Sequence, residues 1–191
     1  TNPASPVSVY AYDTPETARA IQVIDNMLYV GDTGAGLHIF DVTTPAASYK
    51  RSTYDTPDEV RGVFVSGKYA YAADEDSGVQ IINISNPDAP VLASTVPGGA
   101  VYGLYVHGKY LYIAYGTPGI KIYDISNPAA PVYLSTYDTP DFAYSIYVRG
   151  HYAYIADKAS GIQILDVSNP AMPTLAGSYD TAGTTNWVEV N

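Results

Sequence analysis

The side chains best suited to chemistry in this chain are its carboxylates, and the densest group is Asp74-Glu75-Asp76-Ser77-Gly78. This stretch resembles a fragment of a calcium-binding loop, because it brings several oxygen ligands together. It lacks the twelve-residue spacing and the closing glutamate of an EF-hand. The same residues suit a hydrogen-bonded Asx turn, which is the favoured interpretation. Asp74 and Asp76 are therefore candidates for weak calcium binding only, and no other cofactor is predicted.

Residues for covalent or metal-dependent catalysis are few. There is no cysteine, and the three histidines, His38, His107 and His151, lack the spacing of a metal-binding pair. No Gly-x-Ser-x-Gly or Gly-x-x-x-x-Gly-Lys motif is present. Paired carboxylates could catalyse the hydrolysis of a glycosidic bond, but an acidic surface contains such pairs by chance. A non-catalytic function is favoured, and an enzyme is left open.

The turns that carry these carboxylates follow a repeat. The proline of an Asn-Pro or Thr-Pro pair recurs at Pro3, Pro45, Pro87, Pro128 and Pro170, in steps of 42, 42, 41 and 42 residues. A fixed period of this length is the signature of a repeat architecture. The repeats span about 1–43, 44–85, 86–126 and 127–168, with a partial repeat at 169–191.

Each repeat predicts four short strands. In the first repeat, alternating residues indicate strands at 6–12, 18–24, 27–31 and 37–42, separated by turn residues. No segment has an apolar period of 3.6 residues long enough for a helix. Four strands per 42 residues match one blade of a β-propeller. We therefore predict an all-β fold, in which residues 1–191 form a single β-propeller of four complete blades.

The predicted blades leave one strand over at each end. An extra outer strand at 6–12 and an extra inner strand at 186–190 would belong to a further blade whose two middle strands are missing. Proteins normally cover such unpaired edges. The pattern favours further blades in a larger propeller or self-association through the incomplete blade. The alternative is a four-bladed ring with frayed ends.

Charge and hydropathy exclude some partners. The formal net charge is −10 and the pI is near 4.4, which predicts repulsion of nucleic acid and of anionic membranes. No apolar run approaches the length of a bilayer span, so membrane insertion is not expected.

The twenty tyrosines suit sheet faces that are partly in contact with water. Thirteen of the nineteen carboxylates are assigned to one face, the top, where the rim-to-axis turns open, and the opposite, bottom turns are predicted to be basic.

A candidate ligand site lies where the inner strands begin. Four side chains occupy equivalent positions there: Arg19, Arg61, Tyr102 and Tyr144. Gly98 and Gly99 belong to the neighbouring turn of the third repeat, which is one residue shorter and holds no acid. This predicts a pocket at the channel mouth in which the arginines clamp a carboxylate or sulfate. The alternative is that they pair with Glu16, Asp58 or Glu59.

The fourth predicted strand of every repeat carries a family pattern. It covers residues 37–42, 79–84, 120–125 and 162–167, each followed by a Ser or Thr and an Asn-Pro or Thr-Pro pair. These segments, together with Tyr29, Tyr71, Tyr112 and Tyr154 and the Tyr-Asp-Thr-Pro turns, resemble the LVIVD repeat. The resemblance implies a β-propeller in secreted or surface proteins of bacteria and archaea, without an established activity.

The expected function is therefore that of a non-catalytic extracellular or cell-surface module for structure, adhesion or protein interaction. Its partner would be a protein or a carbohydrate at a cell surface. Two alternatives stay open: a small-ligand-binding or enzymatic propeller that uses the channel mouth, and a subunit of an extracellular polymer.

Overall fold

The structure, a computed structural model, describes residues 4–190. Within that range, short apolar segments separated by Gly, Asp and Pro turns form sixteen strands in four antiparallel sheets. In the described part of the chain, helix is limited to the 3-10 turns Pro45–Ala47 and Glu75–Ser77. Pro3, the first of the repeating prolines, lies outside the described residues.

Each sheet is one blade, and its strands pair in chain order from the inner to the outer edge. Blade 1 holds β1 (Ala18–Ile24), β2 (Met27–Asp32), β3 (Gly36–Asp41) and β4 (Tyr49–Tyr54). Blade 2 holds β5 (Val60–Ser66), β6 (Tyr69–Asp74), β7 (Val79–Asn83) and β8 (Val91–Val96). Blade 3 holds β9 (Gly103–His107), β10 (Tyr110–Ala114), β11 (Ile120–Asp124) and β12 (Val132–Tyr137). Blade 4 holds β13 (Ser145–Arg149), β14 (Tyr152–Ala156), β15 (Ile162–Asp166) and β16 (Thr174–Tyr179). The predicted all-β propeller with four complete blades is confirmed.

Local sequence explains the bottom hairpins of the blades. In blades 2 to 4 the turn between the first two strands contains Gly67, Gly108 or Gly150, whose φ angles are 57°, 60° and 60°. Glycine adopts this left-handed conformation without steric cost, which a two-residue hairpin turn requires. Each blade also has a register shift where its third strand pairs with its fourth. An irregularity of this kind bends a strand and increases the local twist.

The hydrophobic core lies between blades. Each blade has a near face, toward the preceding blade, and a far face, toward the following one. At the first interface, Leu37 and Ile39 on the far face of blade 1 join one cluster with Val60, Val65 and Ala72 on the near face of blade 2. Two further clusters of the same kind join blade 2 to blade 3 and blade 3 to blade 4. Fully burying a side chain of this size stabilises the fold by about 2 kcal/mol.

Two of the predicted strands do not form. Residues 6–12 and 186–190 have no strand pairing, although Thr185 makes an isolated bridge with Lys158. The reason is that no strand of the described residues lies beside either segment to complete its backbone hydrogen bonds. The prediction of an extra outer and an extra inner strand is therefore wrong in its strand assignment.

The four blades form an open arc. Strand β1 packs on β5, β5 on β9, and β9 on β13, but no comparable contact joins β13 back to β1. On the near face of blade 1, Val23 is 57% exposed, whereas the equivalent Val65 of blade 2 is 4% exposed. The near face of blade 1 and the far face of blade 4 are therefore open ends.

Candidate functional site

The inner strands surround a cleft of about 430 Å³. Its lining contains the four side chains predicted from their equivalent positions: Arg19, Arg61, Tyr102 and Tyr144. They meet because each stands at the same point of its own repeat, and the blades bring those points to one axis. The structure thus places the four residues together, while their role in ligand binding stays a prediction.

Trp187, the one tryptophan of the chain, also lines the cleft and was not predicted. It is 75% exposed. One repeat earlier the same position holds Ser145, and in the repeats before that it holds Gly103, Gly62 and Ala20. A large aromatic side chain at a position of small residues is the signal in the sequence that would have identified it.

Gly98 and Gly99 are not part of the cleft lining. A Cβ atom on Gly98 would lie 2.2 Å from Oη and 2.4 Å from Cε1 of Tyr115. The Tyr115 ring therefore fills the space beside Gly98, where the sequence predicted part of the pocket. A Cβ on Gly99 would meet no atom within 4 Å. Only Gly98 has a steric reason to be glycine.

Arg61 is held by acidic neighbours. Its Nη2 atom lies 2.6 Å from Oε1 of Glu75 and 3.4 Å from Oε2 of Glu59. Burial disfavours the charged guanidinium, but the hydrogen bond from Arg61 to Glu75 and the two carboxylate charges outweigh it and raise the pKa of Arg61. Its guanidinium carbon also lies 5.4 Å from the ring centroid of Tyr102. For Arg61, the predicted alternative of ion pairing holds, with Glu75 as the main partner.

Arg19 differs from Arg61. It is exposed, and no carboxylate of the described residues lies within 4.0 Å of it, so none of the predicted acidic partners pairs with it. The cleft therefore presents one guanidinium whose hydrogen-bond donors can meet a ligand without breaking an existing ion pair.

An aromatic cluster extends from the cleft to the top of blade 4. The ring centroid of Tyr102 lies 4.6 Å from that of Phe142 and 5.6 Å from that of Tyr144. Lys158 places its Nζ atom 4.0 Å from the Phe142 centroid, which is cation–π geometry. Sequence reasoning missed Phe142 and Lys158, because neither shares a repeat position with the predicted set.

The calcium candidates have structural hydrogen bonds. Asp74 is fully buried and accepts hydrogen bonds from the backbone amide of Asp58 at 3.2 Å and from Nε2 of Gln80 at 3.0 Å. Burial raises the pKa of Asp74. Asp76 donates its backbone amide to Asp58. Among residues 4–190, no group of three or more Asp, Glu, His or Cys side chains is arranged to hold a metal ion. These are long-range contacts, so Asp74 does not form the favoured Asx turn, whereas Asp32 in the equivalent loop of blade 1 does, by accepting the backbone amide of Gly34 at 2.9 Å. Weak calcium binding at Asp74 and Asp76 stays a prediction.

The two faces of the arc differ in charge. The thirteen carboxylates assigned to the top lie in its turns and at the strand ends that meet them. The bottom is mixed rather than basic: Arg51 pairs with Asp88 at 2.5 Å and with Asp41 at 3.6 Å, and Lys109 pairs with Asp124 at 3.1 Å. The prediction of a basic bottom overlooked that Asp41 and Asp124 end their strands there. Both aspartates also hold the turn that follows, because Asp41 accepts the backbone amide of Thr43 and Asp124 accepts that of Ser126.

Four blades of four antiparallel strands around a central cleft define the chain as a β-propeller repeat protein. The family model of the LVIVD repeat matches residues 16–56, 58–97, 98–139 and 142–181. The chain belongs to the LVIVD repeat family. No curated protein matches it.

Solved structures share the fold at low sequence identity. The computationally designed Ika4 protein is 12% identical with a TM-score of 0.70, and the match covers 84% of this chain and 97% of that one. The designed Ika8 protein is 11% identical with a TM-score of 0.71, covering 90% and 52%. A functionally unknown protein from Desulfotomaculum acetoxidans DSM 771 is 12% identical with a TM-score of 0.73, covering 89% and 58%. The chain thus spans little more than half of the two longer proteins, and these likenesses concern the fold alone.

Proposed function

We propose that this chain is a non-catalytic protein-interaction module of a cell surface, and that it binds a segment of a partner protein in the inner cleft. The observation that carries the proposal is the joint presence of exposed Arg19 and exposed Trp187 beside the tyrosines of the cleft. Trp, Tyr and Arg are the side chains that contribute most of the binding energy at protein interfaces.

The chemistry of the cleft defines the partner segment. A carboxylate of the partner would form a charge-assisted, bidentate hydrogen bond with Arg19. An adjacent aromatic or aliphatic side chain would stack on Trp187 and on the ring of Tyr144. Arg61 is already bonded to Glu75, so it contributes to the wall of the cleft rather than to ion pairing. The volume of about 430 Å³ accommodates one or two side chains.

The surroundings of the cleft narrow the class of partner. The acidic top face repels polyanions, so nucleic acid is excluded from the proposal. No helix of the described residues is long and apolar enough to span a bilayer. The cell-surface location is part of the proposal and rests on the family resemblance. Protease treatment of intact cells that express this protein tests it, and protection from the protease would contradict it.

Trp187 allows a direct test of the cleft, because its fluorescence is the only tryptophan signal of the chain. The probes are acetylated tetrapeptides that combine Asp or Glu with Phe or Leu, and matched peptides that carry Asn or Gln instead. We expect a saturable change in emission with the acidic peptides. Arg19→Ala should weaken this binding about tenfold, the effect of losing roughly 1.4 kcal/mol from a charge-assisted hydrogen bond.

The matched control is Arg51→Ala, because Arg51 forms its ion pairs on the bottom face, away from the cleft. This variant should bind the acidic peptides as the wild type does. If no peptide gives a saturable change, or if Arg19→Ala binds as tightly as Arg51→Ala, the proposal is wrong.

A second candidate function is supported by the size of the cleft. Its volume lies within the usual range for small-molecule sites. A small carboxylate or a sugar with a single carboxylate would use the same Arg19 and Trp187 side chains. If monomeric galacturonate saturates the Trp187 signal and the peptides do not, a receptor for small ligands or carbohydrate replaces the protein-interaction module.

A further inference from the structure

The open near face of blade 1 repeats a face that is buried elsewhere in the molecule. Its apolar side chains are Ile21, Val23, Leu28, Phe40 and Val42. The residues one repeat later are Val63, Val65, Ala70, Ile82 and Ile84, and all of them pack in the cluster between blades 1 and 2. Ile21 and Val23 on the inner strand are 70% and 57% exposed, whereas Phe40 is buried beneath Tyr12 of the N-terminal segment. The inner part of this face is therefore open to solvent, and no blade of the described residues packs on it as blade 1 packs on blade 2.

The open far face of blade 4 is equivalent to the far face of blade 3, which is buried against blade 4. Its apolar side chains are Tyr152, Tyr154, Ile162, Ile164 and Tyr179. The residues one repeat earlier are Tyr110, Tyr112, Ile120, Ile122 and Tyr137, which pack against blade 4. Ile120 and Ile122 are fully buried, whereas Ile162 and Ile164 are only half-buried.

The two open faces are complementary in the way that the three internal interfaces are. From these observations we propose that a second copy of this chain docks its near face on the far face of the first, and that two copies close one ring. Within each copy, a far face packs on a near face three times. The arc also matches longer propellers over 52% and 58% of their length, so two copies supply the blades of one ring of that size. A head-to-tail contact whose rotation closes gives a finite assembly.

The two terminal segments stand where the partner would dock. Residues 6–12 align one repeat before the outer strand of blade 1, and Tyr12 packs on Phe40 with ring centroids 4.7 Å apart. Residues 185–190 align one repeat after the inner strand of blade 4, and the amide of Val188 donates to Oγ of Ser145 at 3.1 Å. Neither segment pairs as a strand, so a docking copy displaces few hydrogen bonds. The termini therefore compete with the second copy for the two end faces.

Sedimentation velocity over a concentration series tests the ring on the full chain. We expect a species of two copies that increases with concentration. Val23→Glu blocks the near face and Tyr179→Glu blocks the far face, and each variant alone should be monomeric. Both side chains are more than half exposed within one copy, so we expect the substitutions to leave the fold intact. Thermal melting of each variant checks that it is folded. Tyr12→Ala loosens the N-terminal segment and should increase association.

A mixture of the two blocked variants separates specific docking from general stickiness. The intact far face of Val23→Glu meets the intact near face of Tyr179→Glu, so a two-copy species should return in the mixture only. Val91→Glu is the control, because Val91 is exposed on the outer strand of blade 2 and belongs to neither end face. A wild type that stays monomeric at its solubility limit, a mixture that stays monomeric, or a Val91→Glu variant that dissociates would each overturn the proposal. The proposal of a two-copy ring is independent of peptide binding in the cleft, so the sedimentation test and the peptide-binding test can give opposite outcomes.

Discussion

Blade 3 and the other three blades hold the same top loop in different ways. At the end of the second strand, blades 1, 2 and 4 have a buried aspartate, and blade 3 has Tyr115. In blade 4, Asp157 accepts hydrogen bonds from the Thr139 hydroxyl at 2.8 Å and from the Asp141 amide at 3.1 Å. The buried carboxylate thereby ties the loop to the rim-to-axis turn that precedes the blade.

In blade 3, aromatic packing replaces this hydrogen-bond network. The Tyr115 hydroxyl donates to the carbonyl of Pro97 at 3.3 Å, and Gly98 leaves room for the ring. Lys121 places its Nζ atom 4.1 Å from the ring centroid. The Tyr115 ring therefore explains sterically why position 98 is glycine. The comparison teaches that a deviation in one repeat can be a second packing solution rather than a ligand site.

The largest expected effect comes from giving blade 3 the residue of the other blades. Tyr115→Asp should lower the free energy of unfolding by about 4 kcal/mol, because it leaves a cavity and buries a carboxylate. The turn at 97–100 has no hydroxyl donor that could take the place of Thr139. Urea denaturation measures the loss. Wild-type stability of the variant would show that the two solutions are interchangeable.

The reciprocal loss in blade 4 should be smaller. Asp157→Ala leaves the buried Thr139 hydroxyl and the Asp141 amide without their acceptor and should cost about 3 kcal/mol in acid solution. Burial raises the pKa of Asp157, so the protonated form is favoured in the folded state. The free energy of unfolding of the wild type therefore decreases as the pH rises above 3.8 and Asp157 ionises. The Asp157→Ala variant has no carboxyl at this position, so it does not show this decrease.

Urea titrations at several pH values measure this difference between wild type and variant, which should shrink from pH 4 toward pH 7. Asp180→Ala is the control, because Asp180 is exposed in the turn after blade 4. A difference that grows with pH, or an equal cost for both substitutions, would contradict the role assigned to Asp157.

The glycine turn of blade 3 distinguishes packing from a ligand site. Gly98→Ala should destabilise the fold by about 2 kcal/mol, because its Cβ would overlap the Tyr115 ring. Gly99→Ala is a matched control in open space and should change the free energy of unfolding by less than about 0.5 kcal/mol. Thermal and urea unfolding of both variants provide the comparison. Equal effects would remove the steric explanation of Gly98.

The smallest effect concerns a difference among the aspartate blades themselves. In blade 1, Nε2 of buried His38 has no hydrogen-bond partner, and Oδ2 of Asp32 lies 3.9 Å away. In blade 2, Gln80 at the same position donates to Asp74 at 3.0 Å. His38→Gln should therefore stabilise the protein by about 1 kcal/mol, measured by urea denaturation. The reverse change, Gln163→His in blade 4, should destabilise it, and an opposite sign in either variant would refute this account.

The sequence by itself determined the period of about 42 residues, the number of complete blades and the order of their strands. It also placed Arg19, Arg61, Tyr102 and Tyr144 at one axis. These features were predictable because they follow from the alternation of apolar and polar residues, from the turn residues and from the position within the repeat. All three recur in every repeat.

Only the tertiary structure decided which groups meet across those repeats. It paired Arg61 with Glu75, left Arg19 exposed, brought Trp187 into the cleft and packed Tyr115 against Gly98. It also left the terminal segments unpaired and the arc open. The physical reason is that ion pairs and ring contacts depend on distances of a few ångströms between different turns. Repeat spacing defines the neighbouring blades but not those distances.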